Sequence, residues 1–194
     1  MNYLKDKTFK KLEKDRDFYA FKADVYKYSC LRSSEHYLGE NELISVLYGC
    51  YISTEFSLWA FMNIKGLGVR NAVVSRFLQC NVIYDNLIQK YSPDNLCYPY
   101  FPSKNTLKYL LSNHKHTYES VMKSIIFAHY NDIYFDLDIG ASEIYFKYAE
   151  VSCNLEVYED QRKKLKSFKK KDLIFNKDYN KFNISIPAFC QNDY

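Results

Sequence analysis

Chain breakers are scarce in this sequence, with 5 Gly and 4 Pro among 194 residues. Combined with 20 Tyr and 14 Phe, that shortage favours long helices. Six cysteines are scattered with no CxxC pair and no secretory signal, which excludes a disulfide scaffold and reads as reduced thiol in the cytoplasm. A net charge of +4 is too small to imply nucleic-acid binding by itself. Metal is not expected, because His114 and His116 flank Lys115 without a third Cys, Asp or Glu nearby. In DLDIGASE the glycine is fifth counted from Asp136 rather than sixth, and the distal Glu of a calcium loop is missing from its place. No cofactor is expected either.

An apolar stretch is present, LISVLYGCYISTEFSLWAFMNIK, from Leu43 to Lys65. About 20 apolar residues would span a bilayer. Glu55 near its middle, its Ser, Thr and Asn positions, and the amphipathic segments around it favour a buried helix of a globular protein over a membrane span. Ser45, Gly49, Ser53 and Ser57 recur every fourth position and form one stripe where a neighbouring helix can approach closely. Tyr48, Tyr51, Phe56, Trp59 and Phe61 fill the other sides, so this segment is predicted as an enclosed central helix.

Other helices are predicted around it. Phe18, Phe21, Val25, Tyr28 and Leu31 mark one face of a first helix over about 3–38, ended by Gly39, and Asn41 is the predicted N-cap of the second. Val69, Val73, Phe77, Tyr84, Leu87 and Tyr91 mark a third helix along a second apolar stripe, closed by Ser92 and Pro93. SPDNLCYPYFPSK, with three of the four prolines, reads as a rigid surface connection, or alternatively as a lid or partner contact. Asn105 or Thr106 is expected to cap a short helix and Thr117 the next, which carries Val121, Ile125, Ile126, His129 and Ile133. Ser142 is expected to cap a last long helix reaching Lys171. The tail over 172–194 alternates Phe182, Ile184 and Ile186, as a short strand or an arm would.

Few residues stand out as chemistry. Arg32 and His36 share a helix face, a pattern common on plain surfaces. Lys163, Lys164, Lys166, Lys169, Lys170 and Lys171 crowd the end of the last helix, where positive charge suits the helix dipole and where RNA or another polyanion would be the functional alternative. His129 sits at helical spacing among apolar residues, which fits a satisfied core histidine. With Lys123 six residues earlier it would also form a cation and imidazole suited to phosphate chemistry.

The segment YGCYISTEFSLWAFMNIKG resembles the second helix of HEPN domains, and VMKSIIFAHYNDIYFDLD is similar in placement to the HEPN motif of Arg, four to six residues, then His. The resemblance covers about 17–158 and places Lys123 at the motif's Arg, Ser124 at the polar residue after it, and His129 at its His. In active members it implies metal-independent RNA cleavage at a dimer interface, with both subunits facing one phosphate. Lys lacks the guanidinium fork, so the implied state is a scaffold that has lost efficient cleavage. None of Arg16, Arg32, Arg70, Arg76 or Arg162 has a His at the required spacing.

The sequence therefore predicts an all-α, up-and-down bundle of five or six helices over 1–171 with a C-terminal arm over 172–194. The expected function is that of a HEPN-like, RNA-associated or toxin-type regulatory module, cytoplasmic and able to dimerise. The alternative is a non-enzymatic protein-interaction bundle, of the kind a virus or phage uses to modulate its host, whose aromatic groove holds a partner helix.

Overall fold

In a computed structural model of the chain, which describes residues 14–32 and 37–167, the most enclosed helix follows the long apolar stretch instead of coinciding with it. That helix is α5 (Leu67–Gln79), buried continuously from Ala72 to Gln79. The remaining helices are α1 (14–21), α2 (Val25–Leu31), α3 (Glu40–Ile52), α4 (Thr54–Asn63), α6 (Asp85–Lys90), α7 (Lys104–Asn113), α8 (Tyr118–Phe127), α9 (Asn131–Asp136), α10 (Glu143–Val151) and α11 (Leu155–Ser167). A 3-10 turn, Lys115–Thr117, joins α7 to α8. The described residues are all helix and connection, with no strand among them. The fold is all-α, but built from more and shorter helices than the five or six expected.

α5 faces two cores. Its Val69, Val73 and Phe77 pack with Tyr28, Val46, Cys50, Phe56 and Ala60, while Val74 and Leu78 pack with Leu107, Leu110, Met122, Ile125, Ile126 and Tyr134. A helix lined on opposite sides by apolar residues has to be covered on both. The predicted central helix does line the first core, with Tyr51 buried and Trp59 half-buried. It is two helices, however. Ser53 is extended (φ −129°, ψ 123°), ends α3, and caps α4 by accepting from the Phe56 amide. The small-residue stripe serves as anticipated at Gly49, where α1 comes so close that an added Cβ would meet the Ala20 carbonyl oxygen. Tyr28 donates to Glu42 at 2.7 Å inside this core, and Arg16 lies 3.7 Å from the same carboxylate, tying α1 and α2 to α3.

Four breaks that the apolar periodicity conceals share one geometry. Ala23, Asn81, His129 and Cys153 all have positive φ, between 53° and 61°. After each, the next amide reaches back to the third-last helical carbonyl: Asp24 to Tyr19, Val82 to Phe77, Tyr130 to Ile125, and Asn154 to Ala149. This is the Schellman cap, which usually places glycine at the left-handed position. Without glycine to announce them, the first, third and last predicted helices each looked continuous. The caps also divide the predicted His129-bearing helix into α8 and α9.

Capping residues shifted as well. Gly39 rather than Asn41 precedes α3, and Ser103 caps α7 through the Thr106 amide in place of Asn105 or Thr106. Thr117 precedes α8 but donates its hydroxyl to the His114 carbonyl instead of accepting from the helix. Ser142 caps α10 as expected, accepting from Tyr145. Residue His36, lysines 169, 170 and 171, and the tail expected over 172–194 lie outside the described residues.

The proline-rich connection lies on the surface only in part: Ser92, Asp94, Tyr100 and Phe101 are exposed, but the segment is anchored from beneath. Pro93, Leu96 and Pro102 are buried, and side chains of flanking helices take up its carbonyls: Ser120 bonds Pro93, Ser124 bonds Leu96, Gln79 bonds Asn95, and Tyr130 bonds Pro102. The buried part of a loop needs partners of this kind because its backbone has no ladder to join. Among the described residues, no helix is long and apolar enough to cross a membrane.

Candidate functional site

The three residues aligned with the HEPN motif lie in different environments. Ser124 is fully buried and donates to the Leu96 carbonyl at 3.0 Å, so its hydroxyl holds the loop. Lys123 is half-buried, with its ammonium 5.7 and 5.8 Å from the ring centres of Phe127 and Tyr148. His129 is exposed, not a core histidine, and occupies the left-handed position that ends α8. Its Nε2 donates to the Ser152 carbonyl at 3.0 Å, which commits that nitrogen to carrying a proton. Any proton-accepting work would fall to Nδ1.

The Ser152 contact has a counterpart. Asn154, just beyond the cap of α10, donates to Ile126 in the last turn of α8 and to the Asn131 side chain. Each helix end thus satisfies a carbonyl of the other, and His129 is half of that exchange.

Of the lysine run, Lys163 and Lys166 are exposed on α11. Lys164 is engaged, 2.8 Å from Asp160 and donating to the Ile139 carbonyl at 2.7 Å. Next to it, buried Gln161 accepts from the Ser142 amide and donates to Gly140 and to the Tyr134 hydroxyl, which in turn donates to Asp160. Burial pushes the Tyr134 hydroxyl well above its ordinary pKa, and Tyr145 and Tyr148 are pushed up to about 12 for the same reason. All three phenols therefore stay neutral, and Tyr134 serves as a donor.

His114 and His116 do not converge on a metal. His114 is buried with Nε2 2.8 Å from Asp85 Oδ1, and His116 Nε2 meets the Ile88 carbonyl, so both histidines fasten α6 to the end of α7. Bonds from His114 and then Tyr109 hold the Asp85 carboxyl below the usual range. Among the described residues, no group of three His, Cys, Asp or Glu is placed to hold a metal ion.

A cluster that the sequence reading passed over lies where α4 begins and α5 ends. Arg76 is only 8% exposed, its Nε donates to Thr54 Oγ1 at 3.2 Å, and its Nη1 is buried without a hydrogen-bond partner. Thr54 Oγ1 is 3.5 Å from Cys80 Sγ, and the Tyr100 ring centre lies 5.3 Å from the guanidinium carbon. The available signal was spacing: Arg76 falls one turn after Val73, within the apolar stripe of its helix.

Comparison with known proteins matches residues 97–186 to the family described as YKP1 C-terminal domain. That span starts in the buried loop and takes in α7 to α11. The chain is also 33% identical, over 128 residues and 66% of its length, to a protein of Kluyveromyces lactis described as uncharacterized killer plasmid pGKl-2 protein 1. It spans just over half of that relative, 57% of its length. No solved structure matches. The sequence similarity thus runs to a killer-plasmid protein, and the matched span contains Lys123, Ser124, His129 and the Gln161 network.

Proposed function

We propose that this chain is a killer-plasmid-type accessory module that modulates its host by holding another protein on its helical surface rather than by chemistry of its own. The observation that carries the reading is the apolar surface on α1, α3 and α4 that the described residues leave exposed. Ile44 is 53% exposed, Leu58 50% and Met62 75%, and each lies one turn from a further large side chain on its helix. Ile44 precedes Tyr48, whose ring stacks on Phe21 of α1 with 4.2 Å between centres, and Phe18 follows the same face. Exposed apolar clusters of this sort mark interaction surfaces, and a partner's amphipathic helix is the kind of group that fits helical ridges. The name of the K. lactis relative supports the plasmid setting.

Photo-crosslinking tests it. Benzoylphenylalanine at Ile44 or Met62 is expected to join the chain to one defined protein in the cell that expresses it, whereas the same group at exposed Lys108 is not. No adduct, or equal capture from all three positions, refutes the reading.

The HEPN-like, RNA-associated alternative draws on exposed Lys163, Lys166 and the His129 imidazole. Cleavage of structured RNA by the purified protein, abolished in His129→Ala with helicity intact, would establish it. RNA binding that is strongly salt-dependent and indifferent to His129 would assign the contact to the lysines.

A further inference from the structure

We propose that Arg76, Thr54 and the first turn of α4 form a binding site for a phosphoryl group, covered by Tyr100. This goes beyond the protein-binding reading and is independent of it. The argument starts from an unbalanced charge. A guanidinium has five N–H donors and stays ionised at any relevant pH. At Arg76 the Nε bond to Thr54 is made, and Nη1 is buried and donates to nothing. Among the described residues, no carboxylate forms an ion pair with it. The carbonyl end of α5 and the face of Tyr100 temper the positive charge but supply no acceptor to Nη1. Buried donors are nearly always satisfied, and one that is not calls for an explanation such as an ion.

The second observation is what this arginine leans on. Thr54 is the first residue of the 10-residue α4, so the hydroxyl that accepts from Arg76 stands at a helix N-terminus. The Phe56 amide is capped by Ser53 and the Ser57 amide bonds the Ser53 carbonyl, while the two amides heading the helix have no intrahelical acceptor. The Nε–Thr54 bond thus sets a guanidinium beside the residue that opens α4, whose first amides and hydroxyl are further donors for an anion, while the carbonyl end of α3 one residue earlier offsets part of the helix dipole. A tetrahedral phosphoryl group presents its oxygens to donors that approach from different directions, whereas a carboxylate accepts within one plane. Tyr100 is 59% exposed and lies over the guanidinium, so a rotation that surrenders one cation–π contact opens the site. Glu55, exposed in the same first turn, opposes an anion and keeps the site weak.

Binding of inorganic phosphate to the whole chain, followed by ³¹P NMR or equilibrium dialysis against acetate at equal ionic strength, tests the assignment. Phosphate is expected to bind and acetate not. Arg76→Gln should weaken phosphate at least tenfold, and Glu55→Gln should tighten it several-fold. Because Glu55 is exposed, that second variant keeps the test valid even where the first fails to fold. A 5′-nucleoside monophosphate that binds more tightly than phosphate, and loses the advantage in Tyr100→Ala, assigns the group to a nucleotide; equal binding assigns it to free phosphate. No binding of either, acetate binding equally well, or affinity unchanged by both Arg76→Gln and Glu55→Gln overturns the proposal.

Discussion

Replacing Gly49 with alanine sets two effects against each other, and the geometry decides between them. Alanine in a helix interior is favoured over glycine by about 1 kcal/mol. At Gly49, however, the new methyl would lie 2.4 Å from the Ala20 carbonyl oxygen and 3.0 Å from two ring carbons of Phe56. The oxygen belongs to the backbone of α1, so relief requires that helix to move away from α3. Overpacking of this kind costs ~1–3 kcal/mol. After subtracting the propensity gain, a net loss of up to about 2 kcal/mol remains, which for a chain of this size lowers the melting temperature by up to roughly 8 °C. Gly68→Ala is the control, because its nearest neighbour there is the tip of Leu47 at 4.0 Å. It should be neutral or stabilising by up to ~1 kcal/mol. Thermal unfolding followed by circular dichroism on both variants separates the effects. If Gly49→Ala melts at or above the wild-type temperature, the close approach of α1 and α3 is wrong.

Three further outcomes are expected. Ser124→Ala leaves the buried Leu96 carbonyl without its donor and should cost about 1–3 kcal/mol in chemical denaturation, a loss that a purely catalytic serine would not show. His129→Gly frees the left-handed position from a side chain but gives up the bond to Ser152, so stability should stay within about 1 kcal/mol of wild type, while His129→Ala, which keeps the strain and loses the bond, should be the less stable of the two. Asp85 is held ionised by His114 and Tyr109, so its folded pKa lies below its unfolded one; the stability this contributes is complete above the ordinary carboxylate range and is lost as pH falls through the lowered value. The gap in melting temperature between wild type and Asp85→Asn should therefore be full near neutrality and close in strong acid, and a gap that widens with acid would contradict the assignment.

The Lys123, Ser124 and His129 spacing illustrates how far reading the chain could go. Those positions do fall on or beside one helix, and the apolar residues around them do enter a core. What the spacing could not reveal is that the chain turns at Ala128 and His129, because the periodic pattern of Ile125, Ile126 and Ile133 continues across the cap. Nor could it reveal that the hydroxyl of Ser124 is consumed by a loop carbonyl 28 positions away in sequence. Arg76 was hidden for the opposite reason. A charged residue inside an apolar stripe is visible, but whether it has a partner depends on Thr54 and Tyr100, which belong to other segments.

By itself, the sequence determined the helical class, the Gly49 approach and the Ser142 cap, since each of these follows from local periodicity and residue size. Tertiary structure alone decided where the helices stop and which one is enclosed. Schellman caps at Ala23, Asn81, His129 and Cys153 place non-glycine residues in a conformation that local preference disfavours, and such positions are held by the packing and cross-bonding around them. The same is true of α5: its two apolar sides are written in its residues, but being covered on both is a property of the helices that gather around it.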